Sequence, residues 1–278
     1  MELRKLSIQD IKALLIAINN AFADYIVPFQ LNEEQLQFKI ASEDIRLEWS
    51  VGVFEAEEIV AFIMNGVRNV DGKINVYNAG TGTLPAYRGQ GLVSKMYDYI
   101  LPFLKENDVK RLVLEVIEGN QSAIRAYQKN GFSIQRKLLC FNGVLTSGAV
   151  SNRVAIQALA TPDWAVFQSF WEVEPSWQNA ISSMDVIKPQ TFGAFLGEEL
   201  VGYALFNPIN RRLYQLAVKP AYRQQGIATR ILAEIQKQAT QEKVQLNNVD
   251  EAAKGLKIVL EKQGLTNFIN QFEMVREL

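Results

Sequence analysis

The feature that most constrains this chain is that it is written twice. Pro85–Gly91 reads PAYRGQG and Pro220–Gly226 reads PAYRQQG, 135 residues further on. Upstream, Gly52-Val53-Phe54 leads to Glu57-Glu58-Ile59-Val60, and Gly193-Ala194-Phe195 leads to Glu198-Glu199-Leu200-Val201, an offset of 141. Downstream, Lys129-Asn130-Gly131-Phe132 is matched by Lys262-Gln263-Gly264-Leu265, an offset of 133. Three segments in one order at nearly constant spacing divide the 278 residues into two homologous domains, expected at 1–145 and 152–278. The boundary belongs near Asn142–Asn152, where Asn142-Gly143 is a turn signal and Thr146–Asn152 is small and polar.

Within the first copy the pattern alternates between helix and strand. Ser7 is an N-cap before Ile11, Leu14, Leu15 and Ile18, which share a helix face. Ser50–Phe54 and Ile59–Val67 form a hairpin around Ala56-Glu57-Glu58, and Ile74–Leu84 is a strand. Gly91–Lys105 is a helix that Pro102 is expected to kink or shorten. Arg111–Ile117 is a buried strand, Ser122–Lys129 a helix stopped by Asn130-Gly131, and Phe132–Phe141 a last strand. The order predicts a mixed α/β sheet with helices on its faces.

Composition narrows the chemistry. The 29 basic and 30 acidic residues nearly balance, so electrostatics offer no reason for a nucleic-acid or membrane partner. Met1–Lys5 has no apolar run of signal-peptide type, and no stretch reaches the roughly 20 apolar residues that span a bilayer. The lone Cys140 forms no internal disulfide and fits a reducing cytoplasm, the expected location, where it reads as a small buried residue. With no histidine, proton transfer falls to Tyr, Asp, Glu, Lys, water or the substrate. No metal site is expected.

The segment that carries chemistry is strand, proline turn, Arg-x-x-Gly, helix. A helix N-terminus offers unpaired N–H groups and the positive end of the helix dipole. Gly89 and Gly91 let the backbone approach an anion closely. Arg88 is a candidate for a further charge-assisted contact. The string Arg88-Gly89-Gln90-Gly91-Leu92-Val93 resembles the Arg/Gln-x-x-Gly-x-Gly/Ala signature of the GNAT superfamily of N-acetyltransferases. Arg223-Gln224-Gln225-Gly226-Ile227-Ala228 matches that signature in full, whereas the first copy has Val93 at its last position. Leu114-Glu115-Val116, followed by Asn120, Ala123, Tyr127, Gly131 and Phe132, is similar to the family's second signature.

The resemblance implies two tandem GNAT-like domains, each a mixed, splayed central sheet flanked by helices. It implies acetyl-CoA as cofactor, its pantetheine arm lying between two parallel strands. The implied cofactor-binding residues are Thr81, Gly82, Thr83, Arg88, Gly89, Gln90, Gly91, Leu92, Val93, Ser94 and Asn120. Tyr127, protonated at neutral pH, is the expected general acid to the leaving thiolate. Glu115 is a candidate base for the attacking amine, beside Tyr77, Glu118 through a water, or solvent. Phe22, Tyr25, Pro28 and Phe29 stand where the family often covers its acceptor pocket, or form core.

Aligning Gly131 with Gly264 sets Leu260 opposite Tyr127 and Ala253 opposite Asn120, so the second copy keeps the loop and lacks both polar groups. The expected function is acetyl-CoA-dependent N-acetylation of a primary amine by the first copy, in a monomer or homodimer. The acceptor is a small molecule or a peptide. A non-catalytic acyl-CoA-binding or interaction module, or a tandem enzyme with both copies active, are the alternatives.

Overall fold

Local side-chain chemistry starts the first repeat. In the computed structural model, which describes residues 1–27, 29–146 and 153–278, strand β1 (Glu2–Lys5) turns through Ser7 into helix α1 (Ile11–Ala21). Pro28 and most of the small polar linker, residues 147–152, lie outside the described residues. The Ser7 N–H and hydroxyl each donate to Asp10 at 2.8 Å, and Arg4 grips the same carboxylate at 2.7 and 2.9 Å. Leu14, Ala17, Ile18 and Ala21 then bury one face of α1. Helix α2 (Glu33–Ser42) opens with a reciprocal cap between Asn32 and Gln35, both bonds at 2.8–2.9 Å.

Strands β2 (Val51–Glu55) and β3 (Glu58–Val70) form the expected hairpin, and β4 (Lys73–Thr83) pairs antiparallel with β3. Helix α3 (Leu92–Glu106), strand β5 (Val109–Ile117), helix α4 (Gln121–Lys129) and strand β6 (Ser133–Gly143) follow. Pro102 does not shorten α3, which runs through that residue for 15 residues. The ring lies on the exposed face, and the next turn is held by bonds from the Asn107 backbone and amide to the Phe103 carbonyl.

The second repeat runs β7 (Ala155–Leu159), α5 (Trp164–Gln168), α6 (Ile181–Ile187), β8 (Gln190–Leu196), β9 (Glu199–Asn207), β10 (Arg212–Val218), α7 (Ile227–Gln238), β11 (Val244–Asp250), α8 (Lys254–Lys262) and β12 (Thr266–Glu277). The residues fall into two compact units, Met1–Gln135 with Phe272–Leu278, and Arg136–Gln271. In the first, strand order is β1-β2-β3-β4-β5, and the chain end from Phe272 lies beside β5, where the Leu278 N–H donates to the Lys110 carbonyl at 3.0 Å. In the second, the order from β6 is β6-β11-β10-β9-β8-β7. Each unit is a mixed sheet with helices on it and its own apolar core, around Phe62, Met96 and Leu112 in one and Phe206, Ile231 and Leu246 in the other. Among the described residues no helix is long and apolar enough to cross a membrane.

Candidate functional site

Register creates the site. Strands β4 and β5 run parallel from Ile74↔Val109 to Asn78↔Leu114 and pair no further, although β4 continues to Thr83 and β5 to Ile117. On its other edge β4 stays bonded to β3 as far as Thr83↔Ala61. A bulge at Ala79, where Met64 faces Gly80 and Asn65 faces Asn78, bends β4 as the split begins. Thr81, Gly82 and Thr83 therefore present an unpaired strand edge to the gap. Gly82 has a packing reason as well: an added Cβ would lie 2.4 Å from the Phe62 ring.

Above the gap, Leu84 leads through a 3-10 turn at Pro85–Tyr87 into Arg88–Gly91 and the start of α3. Gly89 (φ 77°) and Gly91 (φ 71°) are left-handed, and nothing lies within 4 Å of a Cβ built on either. The first helical residues, Leu92, Val93 and Ser94, precede the first intrahelical bond from Lys95 to Gly91, so their N–H groups have no partner within the helix. Gln90 bonds the Ala86 carbonyl at 3.4 Å, and Ser94 Oγ accepts from Asn130 at 3.1 Å. The Arg88 side chain turns elsewhere. It donates to the Thr83 and Ala21 carbonyls at 3.2 and 3.0 Å and grips Asp24 at 2.6 and 2.7 Å, holding that carboxyl below its usual range.

Beneath the loop lies a chain of polar side chains. Asn78 donates to Tyr97 Oη at 2.8 Å and to Thr81 Oγ1 at 2.7 Å, and accepts from the Gly80 N–H at 3.1 Å. The pKa of Tyr127 is pushed up to about 12, chiefly because burial disfavours the phenolate, with the Thr81 side chain acting in the opposite direction. Tyr97 is raised well above its ordinary value, again by burial. Phe132 packs against both rings, at 5.4 Å from Tyr97 and 5.9 Å from Tyr127. Asn120 caps α4 by accepting from Ala123 at 3.1 Å, and its Nδ2 reaches Tyr25 Oη at 3.4 Å. Strand alternation sets Glu115 with Tyr77 and Val113 on the face opposite Asn78 and Leu114. Phe22 packs edge-on to Tyr25 at 5.2 Å and on Phe29 at 4.8 Å.

Asn78 and Tyr97 join this group although the sequence motifs single out neither. Their signal lies in the repeat: at an offset of 135, Asn78, Thr81 and Tyr97 become Leu213, Leu216 and Leu232, and at the downstream offset of 133 Tyr127 becomes Leu260.

The second unit keeps the frame. Strands β10 and β11 share one registered pair, Arg212↔Gln245, and then part. A cavity of about 760 Å³ fills the gap, lined among others by Tyr203, Gln215, Leu216, Arg223, Gly226 and Asn247. Gly226 takes φ 80°, and Gln224, at the place of Gly89, takes φ 63°. Polar contacts sit across the sheet instead, where Tyr203 donates to Gln215 at 2.7 Å and accepts from Trp171 at 2.6 Å. Ala253 stands at the N-cap of α8 with no side-chain bond. Cys140 is buried.

A strand split beneath a helix N-terminus suits an extended, amide-bearing chain that ends in a pyrophosphate. Comparison with known proteins agrees. The Acetyltransferase (GNAT) family matches the chain twice, over residues 16–132 and 155–260. No curated protein matches the sequence. A solved GCN5-related N-acetyltransferase from Sphaerobacter thermophilus superposes with a TM-score of 0.76 at 16% identity, covering 99% of this chain and 95% of that one. A tandem GNAT protein from the clavulanic acid biosynthesis pathway gives 0.71 at 14%, covering 99% and 98%. A putative acetyltransferase from Pyrococcus horikoshii gives 0.69 at 13%, covering 100% and 89%. These likenesses are ones of fold.

Proposed function

The chain belongs to the acetyltransferase (GNAT) family, and on that premise we propose that its first repeat acetylates a primary amine, small molecule or peptide, from acetyl-CoA. The observation that carries this reading is the bonded series Tyr97–Asn78–Thr81 at the point where β4 and β5 part, with the buried phenol of Tyr127 beside it. The cofactor supplies an acetyl group activated as a thioester.

The protein's own residues do the rest. Backbone N–H groups from Gly89 to Ser94 hold the pyrophosphate, with left-handed glycines shaping the turn. The free edge at Thr81–Thr83 binds the amides of the arm, and one of its N–H groups stabilises charge that builds on the acyl oxygen. Tyr127 holds a proton at Oη beside Thr81 and delivers it to the departing sulfur. Asn78, bonded to both Tyr97 and Thr81, fixes the Thr81 side chain at the split. Glu115, on the other face of β5, accepts a proton from the incoming amine directly or through water.

The second repeat is read as a binding module. It retains the loop and an open cleft, and leucines replace the proton-holding series.

The reading is tested by incubating the protein with acetyl-CoA and a panel of primary amines and following thiol release. Amine-dependent release is expected, and Gly91→Val, a β-branched residue at φ 71°, is expected to weaken coenzyme A binding at least about tenfold. No release with any amine, or binding unaffected by Gly91→Val, contradicts it.

A further inference from the structure

The last strand of the chain carries a cation to the first repeat. Strands β6 and β12 correspond at the offset of 133, which makes Gly143 and Arg276 counterparts. Their units are exchanged. Gly143 belongs with α8 of the second repeat, and Arg276 with α4 of the first. Each sits on the glycine that stops that helix. A Cβ built on Gly143 would lie 2.5 Å from the Gly264 carbonyl, and one built on Gly131 would lie 3.3–3.5 Å from the Arg276 side chain. Met274, two residues before Arg276, is fully buried in the core of the first unit.

The two strands bring different groups to the helix ends. In the second unit the Gln263 carbonyl, after α8, accepts from the Thr146 backbone N–H at 2.8 Å. In the first, the Asn130 carbonyl, after α4, accepts from Arg276 Nη1 at 2.6 Å. A guanidinium there meets both an end carbonyl and the negative end of the helix dipole. Asn130 carries the contact further. Its amide donates to the Ala126 carbonyl at 2.7 Å and to Ser94 Oγ, in the first turn of α3, at 3.1 Å. At the matching place among the described residues, the Gln263 side-chain oxygen is buried without a hydrogen bond. The charge is also felt at Tyr97, whose pKa burial raises and Arg276 draws back.

We propose that Arg276 is a positioning residue of the first-repeat site: it locks the end of α4 and, through Asn130, holds the first turn of α3 in the shape that takes the pyrophosphate of coenzyme A. The last strand of the second repeat thereby completes the cofactor site of the first. The role rests on the reading of Gly89–Ser94 as the pyrophosphate site.

The test uses the full chain in a common Gly226→Val background, which takes the second loop (φ 80°) out of the titration. Coenzyme A affinity is read by calorimetry at a temperature where each variant is folded. Arg276→Met keeps an apolar stem and removes the charge and the donors. It is expected to weaken binding about fivefold or more, the scale of one charge-assisted bond, and Arg276→Lys to recover to within about threefold of the unmodified arginine. Arg276→Gln replaces Arg276→Met if the latter does not fold. Asn130→Ala keeps the carbonyl and removes the bond to Ser94, and is expected to weaken binding by a similar factor. Adding Arg276→Met to Asn130→Ala is expected to cost less than about twofold more, because the two act in series. Hydrogen exchange of the free protein is expected to quicken in Arg276→Met over residues 92–97 and 124–131, with α7 and α8 unchanged. Binding within about twofold in Arg276→Met, fully additive losses in the double variant, or unchanged exchange overturns the proposal. A protein with Arg276 intact that binds no coenzyme A overturns the pyrophosphate reading itself, and the positioning role falls with it.

Discussion

Burial decides what Tyr127 is able to do. A phenol held near 12 keeps its proton throughout the physiological range, and its environment favours the neutral form from below pH 10 until the pH rises through that raised value. Turnover is therefore expected to show no alkaline loss attributable to Tyr127 below about pH 11, which a pH–rate profile of the wild type beside Tyr127→Phe checks. Gly82 makes a prediction of a different kind. A methyl there meets Phe62 at 2.4 Å and Ala21 at 2.9 Å, so Gly82→Ala is expected to cost about 1–3 kcal/mol in denaturant unfolding, the usual scale of overpacking. Some of this is legible in the sequence. The contrast of Asn120 and Tyr127 with Ala253 and Leu260 needs only the repeat. Asn78 and Tyr97 escape notice because a lone amide in a strand, or a tyrosine on an apolar helix face, takes its meaning from a tertiary partner. Charge alone directs the Arg88 side chain to the anion, whereas its four bonds to Thr83, Ala21 and Asp24 depend on a neighbour 64 residues away.

Elements are most readable where a local rule suffices. The hairpin β2–β3, the glycine-capped start of α3 and the stop at Gly131 follow from turn and cap chemistry. Helix α2 escapes the apolar pattern although Asn32-x-x-Gln35 is a capping signal, because its apolar face is narrow, with Leu36 and Ser42 its buried residues. Asn32→Ala is expected to destabilise this exposed cap by about 1 kcal/mol, measured as a shift in the urea midpoint. The cap of α1 carries a pH signature. Arg4, with help from Ser7, holds the Asp10 carboxyl at about 2, below its ordinary 3.8. A depressed carboxyl contributes stability above its unfolded value and loses it as pH falls towards the folded one. The melting temperature of the wild type is therefore expected to drop between pH 3.8 and 2 more steeply than that of Asp10→Asn, and parallel curves would contradict it. The strand split is legible only through the family resemblance and not from any local pattern. Both β4 and β5 read as continuous strands, and where they stop pairing depends on the bulge at Ala79, a matter of register that no local pattern records.

At the scale of the whole molecule, the chain holds one frame twice and one set of proton-holding side chains once. The repeated segments alone make the two copies plain. They do not reveal that the cleft of the second copy is an open cavity of about 760 Å³, because void volume depends on how far β10 and β11 diverge. Nor do the offsets show that residues from Phe272 to the chain end belong with the first compact unit. The near-neutral charge and the missing histidine keep their meaning: the chemistry proposed here uses a tyrosine, backbone N–H groups and a carboxylate. The most direct test is the rate of thiol release at saturating acetyl-CoA for Tyr127→Phe against the wild type, with Leu260→Ala as the matched change in the second copy. A division of labour predicts a fall of about 100-fold or more for Tyr127→Phe and, in a folded Leu260→Ala variant, a rate within about twofold of the wild type. An unchanged rate in Tyr127→Phe would contradict it.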